Sequence, residues 1–354
     1  MRILYLMHVE WGWIKQRPHF IAEELSREHY LKVYYQTRYA KFERNKNSSK
    51  VQRARFFTIP KNSNPTVSHI NSMLLRTFFH IVAKFGKYDV IYLTHPTQLN
   101  YLPNRPAYII YDCMDDHSSF YKDSAGIKLK NSEIKLFDKA DLILFSSFYL
   151  REKNKPYIKG KNVKVILNGV SEDLKIIEVD RRDLAVKPIR NIFYIGTIAE
   201  WFDFSVIEII LDRCPLIRFT IVGPTDIRCP NMGERVEYLG SIDHSRLVEI
   251  VKEADAFIMP FRLTDLIRAV DPVKMYEYIA FGKPIISIFY DELEKFSDFV
   301  NFYKNNDQLE IICQLINDSS LKLYNLEHAK KFISNSTWKN RVEGIFSECI
   351  INDK

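Results

Sequence analysis

Short apolar runs alternate with helix-period segments twice along this chain, and few folds accommodate that pattern. In the first stretch the strand-like runs are residues 2–7, 31–36, 55–59, 90–94, 108–111, 142–145 and 163–166, and helical patterns cover 17–28, 68–85, 131–139 and 147–153. The alternation predicts a parallel sheet with helices on both faces. It lapses over residues 171–190, which are charged and weakly periodic and read as an interdomain linker. It then resumes, with strands predicted at 191–195, 218–222, 236–239, 256–259 and 285–287 and helices at 203–213, 245–253, 273–280 and 307–316. Two further helices are expected between 321 and 350, broken near 334–337. The expected architecture is α/β: two doubly wound domains, residues 1–170 and 191–337, followed by a segment 338–354. Such domains make a cleft, and ligands of open α/β sheets bind beyond the carboxyl ends of the strands.

A chain of 354 residues is long enough for two domains. Its 46% hydrophobic and 27% charged content excludes a disordered or collagen-like chain. No apolar run approaches the ~20 residues of a spanning helix. The opening Met1–Met7 turns polar too soon for a signal peptide and reads as a first strand. Five scattered cysteines without CxxC spacing argue against a zinc site or a disulfide framework, and for a reducing, cytoplasmic setting.

Charge is uneven. Residues 1–165 carry 28 Lys+Arg against 14 Asp+Glu, whereas residues 166–354 carry 23 against 30. Most of the excess lies in residues 1–87, with 16 basic and 5 acidic side chains. An anionic partner for the first half follows: nucleic acid, a membrane surface or a pyrophosphate. No nucleic-acid motif accompanies the charge, and the run 41–50 reads as a solvated loop. The segment 67–86 is amphipathic and basic. It suits either packing on its own sheet or lying in a lipid interface.

Three segments after predicted strands can carry chemistry. Gly196 and Thr197 end one strand ahead of a helix, where backbone approaches a ligand closely and helix N–H groups face an anion; a plain turn is the alternative. Gly223-Pro224 ends the next, as Gly-Pro does in many folds. The most specific is 271–284, Asp-Pro-Val-Lys-Met-Tyr-Glu-Tyr-Ile-Ala-Phe-Gly-Lys-Pro. Pro272 suits a helix start, and Lys274 and Glu277, three apart, share one face. A lysine in a first helical turn opposes the helix dipole, which a bound phosphate would explain. Glu277 could then accept from a ribose diol; a structural Lys–Glu pair is the alternative. The GxGxxG spacing of a dinucleotide site is absent from both halves, which disfavours a dehydrogenase.

This last segment resembles the donor-site signature of GT-B glycosyltransferases, and in particular the bacterial surface-polysaccharide branch with teichuronic-acid- and xanthan-type enzymes. The resemblance extends to Trp11-Gly-Trp-Ile-Lys-Gln-Arg17-Pro-His19, Tyr111-Asp-Cys-Met-Asp115-Asp116-His117, Ala140–Ser147, Asn168-Gly169-Val170 and Tyr194–Asp203, nearly the whole chain. It implies two Rossmann-like domains, the first for the acceptor and the second for a nucleotide-sugar, with the C-terminal helix crossing back to the first. The sequence departs from the family at Ala269, where many members carry a first glutamate separated by seven residues from the one at the position of Glu277, and lacks a Gly-Gly pair in the first loop.

Transfer needs a base for the acceptor hydroxyl and fixed charge for the departing diphosphate. The resemblance nominates Asp115 as base, with Asp116 and His117 behind it; helix capping or solvation is the alternative for each. Donor-binding candidates are Gly196, Thr197, Gly223, Arg262, Lys274, Met275 and Glu277, and acceptor or phosphate candidates are Gly12, Trp13 and Arg17. Arg268 and Trp11 are further possibilities. No metal motif appears, and no cofactor is expected beyond a nucleotide-sugar, most simply UDP-linked. The acceptor would be lipid-linked or an oligosaccharide, at the inner face of the membrane. A sugar-nucleotide epimerase of the same fold and a noncatalytic nucleotide-sugar-binding protein are the rivals.

Overall fold

The structure is a computed structural model and describes residues 1–12, 15–37, 51–60, 64–102, 107–121, 123–172, 174, 188–242 and 244–347. Trp13 and most of the 171–190 linker therefore lie outside the described residues. The chain divides into two compact units, Met1–Asn168 with Trp338–Lys354, and Gly169–Thr337.

In the first unit the strands are β1 (Arg2–Met7), β2 (Tyr30–Gln36), β3 (Gln52–Phe56), β4 (Val90–Leu93), β5 (Tyr108–Cys113), β6 (Leu142–Phe145) and β7 (Val163–Val165). They form a sheet in the order β3-β2-β1-β4-β5-β6-β7, with every pair parallel. The helices are α1 (Arg17–Glu28), α2 (Pro65–Gly86), α3 (Ser124–Lys139) and α4 (Phe148–Asn154). The central strands β1, β4 and β6 are buried almost throughout, as apolar runs covered on both faces must be.

The second unit holds β8 (Asn191–Ile195), α5 (Phe204–Arg213), β9 (Arg218–Val222), β10 (Val236–Gly240), α6 (His244–Ile250), β11 (Ala256–Met259), α7 (Asp265–Arg268), α8 (Val273–Ala280), β12 (Ile285–Ile288), β13 (Val300–Tyr303), α9 (Asn306–Asn317) and α10 (Leu326–Asn335). Its strand order is β10-β9-β8-β11-β12-β13, again parallel. Each sheet thus reverses its winding once, between β1 and β4 and between β8 and β11. These switch points are where loops part and a ligand crevice opens.

The last described helix, α11 (Trp338–Phe346), packs within the first unit. Trp338 stacks on Phe20 of α1, with ring centroids 5.0 Å apart. Lys164 Nζ donates to the carbonyls of Gly344 and Ile345 at 3.2 Å, a cation against a helix C-terminus.

Candidate functional site

In the first unit three histidines gather at the carboxyl ends of neighbouring strands: His8 after β1, His95 after β4 and His117 after β5. The rings of His95 and His117 lie 4.5 Å apart, and that of His8 lies 5.1 and 5.3 Å from them. His8 Nδ1 pairs with Thr94 Oγ1 and His95 Nδ1 with Thr97 Oγ1, both at 2.8 Å. Burial holds all three well below the usual imidazole range, His95 down to about 4 and His117 to about 3, so they are neutral at physiological pH. The Nε2 of His117 is buried and meets no hydrogen-bond partner among the described residues. Sequence reading singled out His117 but passed over His8 and His95. The missed signal is position, since each follows directly on a strand that borders the switch point.

Asp115 lies two residues before His117 in the segment that follows β5. The residue is half-buried, and its carboxylate has no hydrogen-bond donor among the described residues. Burial, opposed by Arg17 and helped by Asp112 and Asp116, pushes its pKa up to about 7. That is the range in which a carboxylate works as a base near neutrality. Asp116 differs. It accepts from Ser118 Oγ at 2.9 Å, Ser119 Oγ at 2.5 Å and Lys153 Nζ at 2.7 Å. Despite burial, these donors lower its pKa, so Asp116 braces its loop against α4 and makes a poor base.

Arg17, expected to meet a phosphate, is turned inward. It is 4% exposed; Nη2 and Nε hold Asp112, at 2.9 and 3.0 Å, while Nη1 donates to Ile166 O and Asn168 Oδ1. Tyr92 Oη completes the Asp112 shell at 2.9 Å. The fork is spent on ordering the end of the first unit, where Arg341 Nε also donates to Asn168 O at 2.9 Å. Trp11 is buried edge-on to His19, which places it in the fold rather than on a sugar. Gly12 sits in the turn before α1, partly exposed.

In the second unit the switch point lies between Gly196-Thr197 after β8 and Pro260-Phe261-Arg262 after β11. Antiparallel bridging of Phe202 to Phe261 zips the two loops together. Arg262 N–H donates to Trp201 O at 2.8 Å, and its side chain, 56% exposed, lies 3.5 Å from Asp203. Gly223 has φ +144°, and a Cβ there would sit 1.9 Å from Gly196 O. Its amide is committed to Gly240 O and that of Gly196 to Val222 O, so neither is an anion donor. Among the described residues no acceptor takes the Thr197 N–H.

On α8, Lys274 Nζ donates to Glu277 Oε2 at 2.6 Å. The lysine is 33% exposed and the glutamate 13%. Tyr278, one position on, points into the core, where its hydroxyl accepts from Ile195 N–H at 2.8 Å. That bond fixes the helix against Ile195, the last residue of β8 and the one before Gly196. Met275, expected to touch the donor, is fully buried; its face of the helix packs into the sheet. Ala269 is buried as well. Among the described residues no group of three His, Cys, Asp or Glu side chains is arranged to hold a metal ion.

Residues 190–301, from β8 to the start of β13, match the family of glycosyl transferases group 1. Over that stretch the chain is similar to the group 1 glycosyltransferases. The fold agrees over its whole length. Sucrose-phosphate synthase from Thermosynechococcus elongatus superposes with a TM-score of 0.74 at 13% identity, covering 98% of this chain and 97% of that one. HepE of Anabaena, in a complex with UDP and glucose, superposes at 0.70 with 15% identity, covering 98% and 100%. In sequence, the putative teichuronic acid biosynthesis glycosyltransferase TuaH of Bacillus subtilis (strain 168) is 28% identical over 200 residues, 50% of this chain and 49% of TuaH. The chain thus aligns with about half the length of that curated relative. Among the described residues no helix is long and apolar enough to cross a membrane.

Proposed function

We propose that the protein transfers a sugar from a UDP-sugar to a lipid-linked or oligosaccharide acceptor during synthesis of a bacterial surface polysaccharide, at the inner face of the membrane. The observation that carries this reading is the Lys274–Glu277 pair on α8, beside the switch point of the group 1 domain. The two side chains satisfy each other. A nucleoside diphosphate gives Lys274 a doubly charged partner and leaves Glu277 free to accept from ribose hydroxyls. Arg262 and the Thr197 amide add donors on the same side of the sheet. UDP is favoured over other nucleotides because HepE was solved with it. The polysaccharide setting is taken from the relative in teichuronic acid synthesis.

The first unit supplies the other half of the reaction. The acceptor O–H proton passes to the Asp115 carboxylate. The acceptor oxygen then bonds to the sugar's anomeric carbon as the bond from that carbon to the diphosphate oxygen breaks, and UDP leaves. The neutral imidazoles of His8, His95 and His117 offer hydrogen bonds to sugar hydroxyls without adding charge. An epimerase of the same fold would act on the donor with no acceptor.

Calorimetric titration of UDP, GDP, CMP and NAD into the whole protein tests the donor half. Binding of UDP that both Lys274→Ala and Glu277→Ala weaken supports it. Binding of NAD alone, or UDP binding indifferent to both substitutions, overturns it.

A further inference from the structure

We propose that the outward face of α2 is a docking surface for an anionic lipid bilayer. The inference deepens the proposed membrane-borne acceptor and rests on that reading, but the surface can be tested without it. The helix has two apolar faces. One, formed by Leu75, Phe79 and Ala83, is buried in the first unit, with Asn71 beside it tying down the strand-following residue Ile59 through both its N–H and its carbonyl. This is the packing on its own sheet that the sequence allowed.

The second face is turned to solvent. At 100° per residue, Ile70, Met73, Leu74, Ile81 and Phe85 fall on one strip, roughly opposite the buried one. Met73, Leu74 and Phe85 are 57%, 52% and 77% exposed. Exposed Ile59 lies at the same end as Ile70, against Asn71. The strip runs about 22 Å along the helix, at 1.5 Å per residue. A contiguous apolar strip of this length marks an interaction surface rather than ordinary scatter.

Charge decides what covers it. The helix Pro65–Gly86 contains no Asp or Glu, and Arg76, His80 and Lys84 border the strip along one side. The surrounding residues 1–87 are basic by 16 to 5. Two copies meeting through this face would bring those cations together. An anionic bilayer receives the apolar strip among its acyl chains and the cations among its phosphates, with the helix lying in the plane.

The test is co-sedimentation of the full-length protein with phosphatidylcholine vesicles, with and without phosphatidylglycerol. The comparison includes the triple variant Leu74→Gln/Ile81→Gln/Phe85→Gln and the charge variant Arg76→Glu/Lys84→Glu. Phe78 is left intact because it packs edge-on against Tyr34 and Phe79. The wild type should bind the anionic vesicles at least about tenfold better than the neutral ones, and each variant should lose about tenfold or more of that binding. Unchanged thermal midpoints and unchanged UDP binding show that the variants are folded, and keep this result separate from the donor reading. Absence of wild-type binding, equal binding to neutral vesicles, or full binding by the triple variant overturns the proposal. A dimer in light scattering that the triple variant dissociates, without vesicle binding, also overturns it and assigns the strip to a second copy.

Discussion

Lys274 and Glu277 are joined at 2.6 Å across one turn of α8, so the face proposed to hold the donor is ordered by its own ion pair. The pair is partly exposed, and such pairs contribute at most about 1 kcal/mol to folding. Lys274→Ala should therefore leave the thermal midpoint nearly unchanged while weakening UDP by roughly ten- to a hundredfold, the range for hydrogen bonds to charged groups. Calorimetry alongside thermal denaturation separates the two effects. A large fall in midpoint with intact UDP affinity would assign the pair to the fold.

Asp115 predicts a pH dependence in both activity and stability. With its pKa at about 7, the base form grows in as pH rises through neutrality, so transfer should increase over that interval and Asp115→Asn should abolish it. Stability runs the other way. The folded state holds its proton where the unfolded chain, titrating near 4, has lost it. The stabilisation is complete below about 4 and is lost as pH rises through about 7. Asp115→Asn should thus melt above the wild type at pH 8 and with it near pH 4. A wild-type profile unaltered by the substitution would remove Asp115 from the mechanism.

Gly223 should tolerate no side chain. Its positive φ and the 1.9 Å approach to Gly196 O together predict a loss of about 2–3 kcal/mol or more for Gly223→Ala, read as a lower denaturant midpoint. An alanine variant of wild-type stability would show that the two strand-end loops can separate freely.

Arg17 should behave as a core residue. Arg17→Met leaves Asp112 as an uncompensated buried charge, at a cost of about 3–5 kcal/mol. Adding Asp112→Asn should recover part of it, as a double-mutant cycle would reveal. A folded single variant with weakened phosphate binding would restore the ligand role that its geometry denies.

The two parallel sheets and the helix that carries Lys274 and Glu277 were legible because both rest on local pattern. Apolar runs such as Leu142–Phe145 and Ala256–Met259 have no alternative to a buried parallel strand, and Pro272 and Gly282 bracket α8. The strand Val300–Tyr303 escaped notice because Asn301 interrupts it, and that side chain is satisfied only by the distant Ile285 and Lys322. Long-range pairing likewise hid the fate of Arg17, whose partner Asp112 lies 95 residues away. Nor can sequence spacing tell which of two adjacent aspartates is braced: Lys153 reaches Asp116, not Asp115, from another helix.

The place of α11 sets the order in which the molecule can be completed. A ribosome delivers residues 1–168 first and the second unit next, and Trp338 emerges only after both. Until then Phe20 lacks its stacking partner and Asn168 the donor from Arg341. The domain made first is thus the one finished last. Its nascent form carries an open apolar seam through the synthesis of the entire second unit, an interval in which that seam is exposed to chaperones and to aggregation.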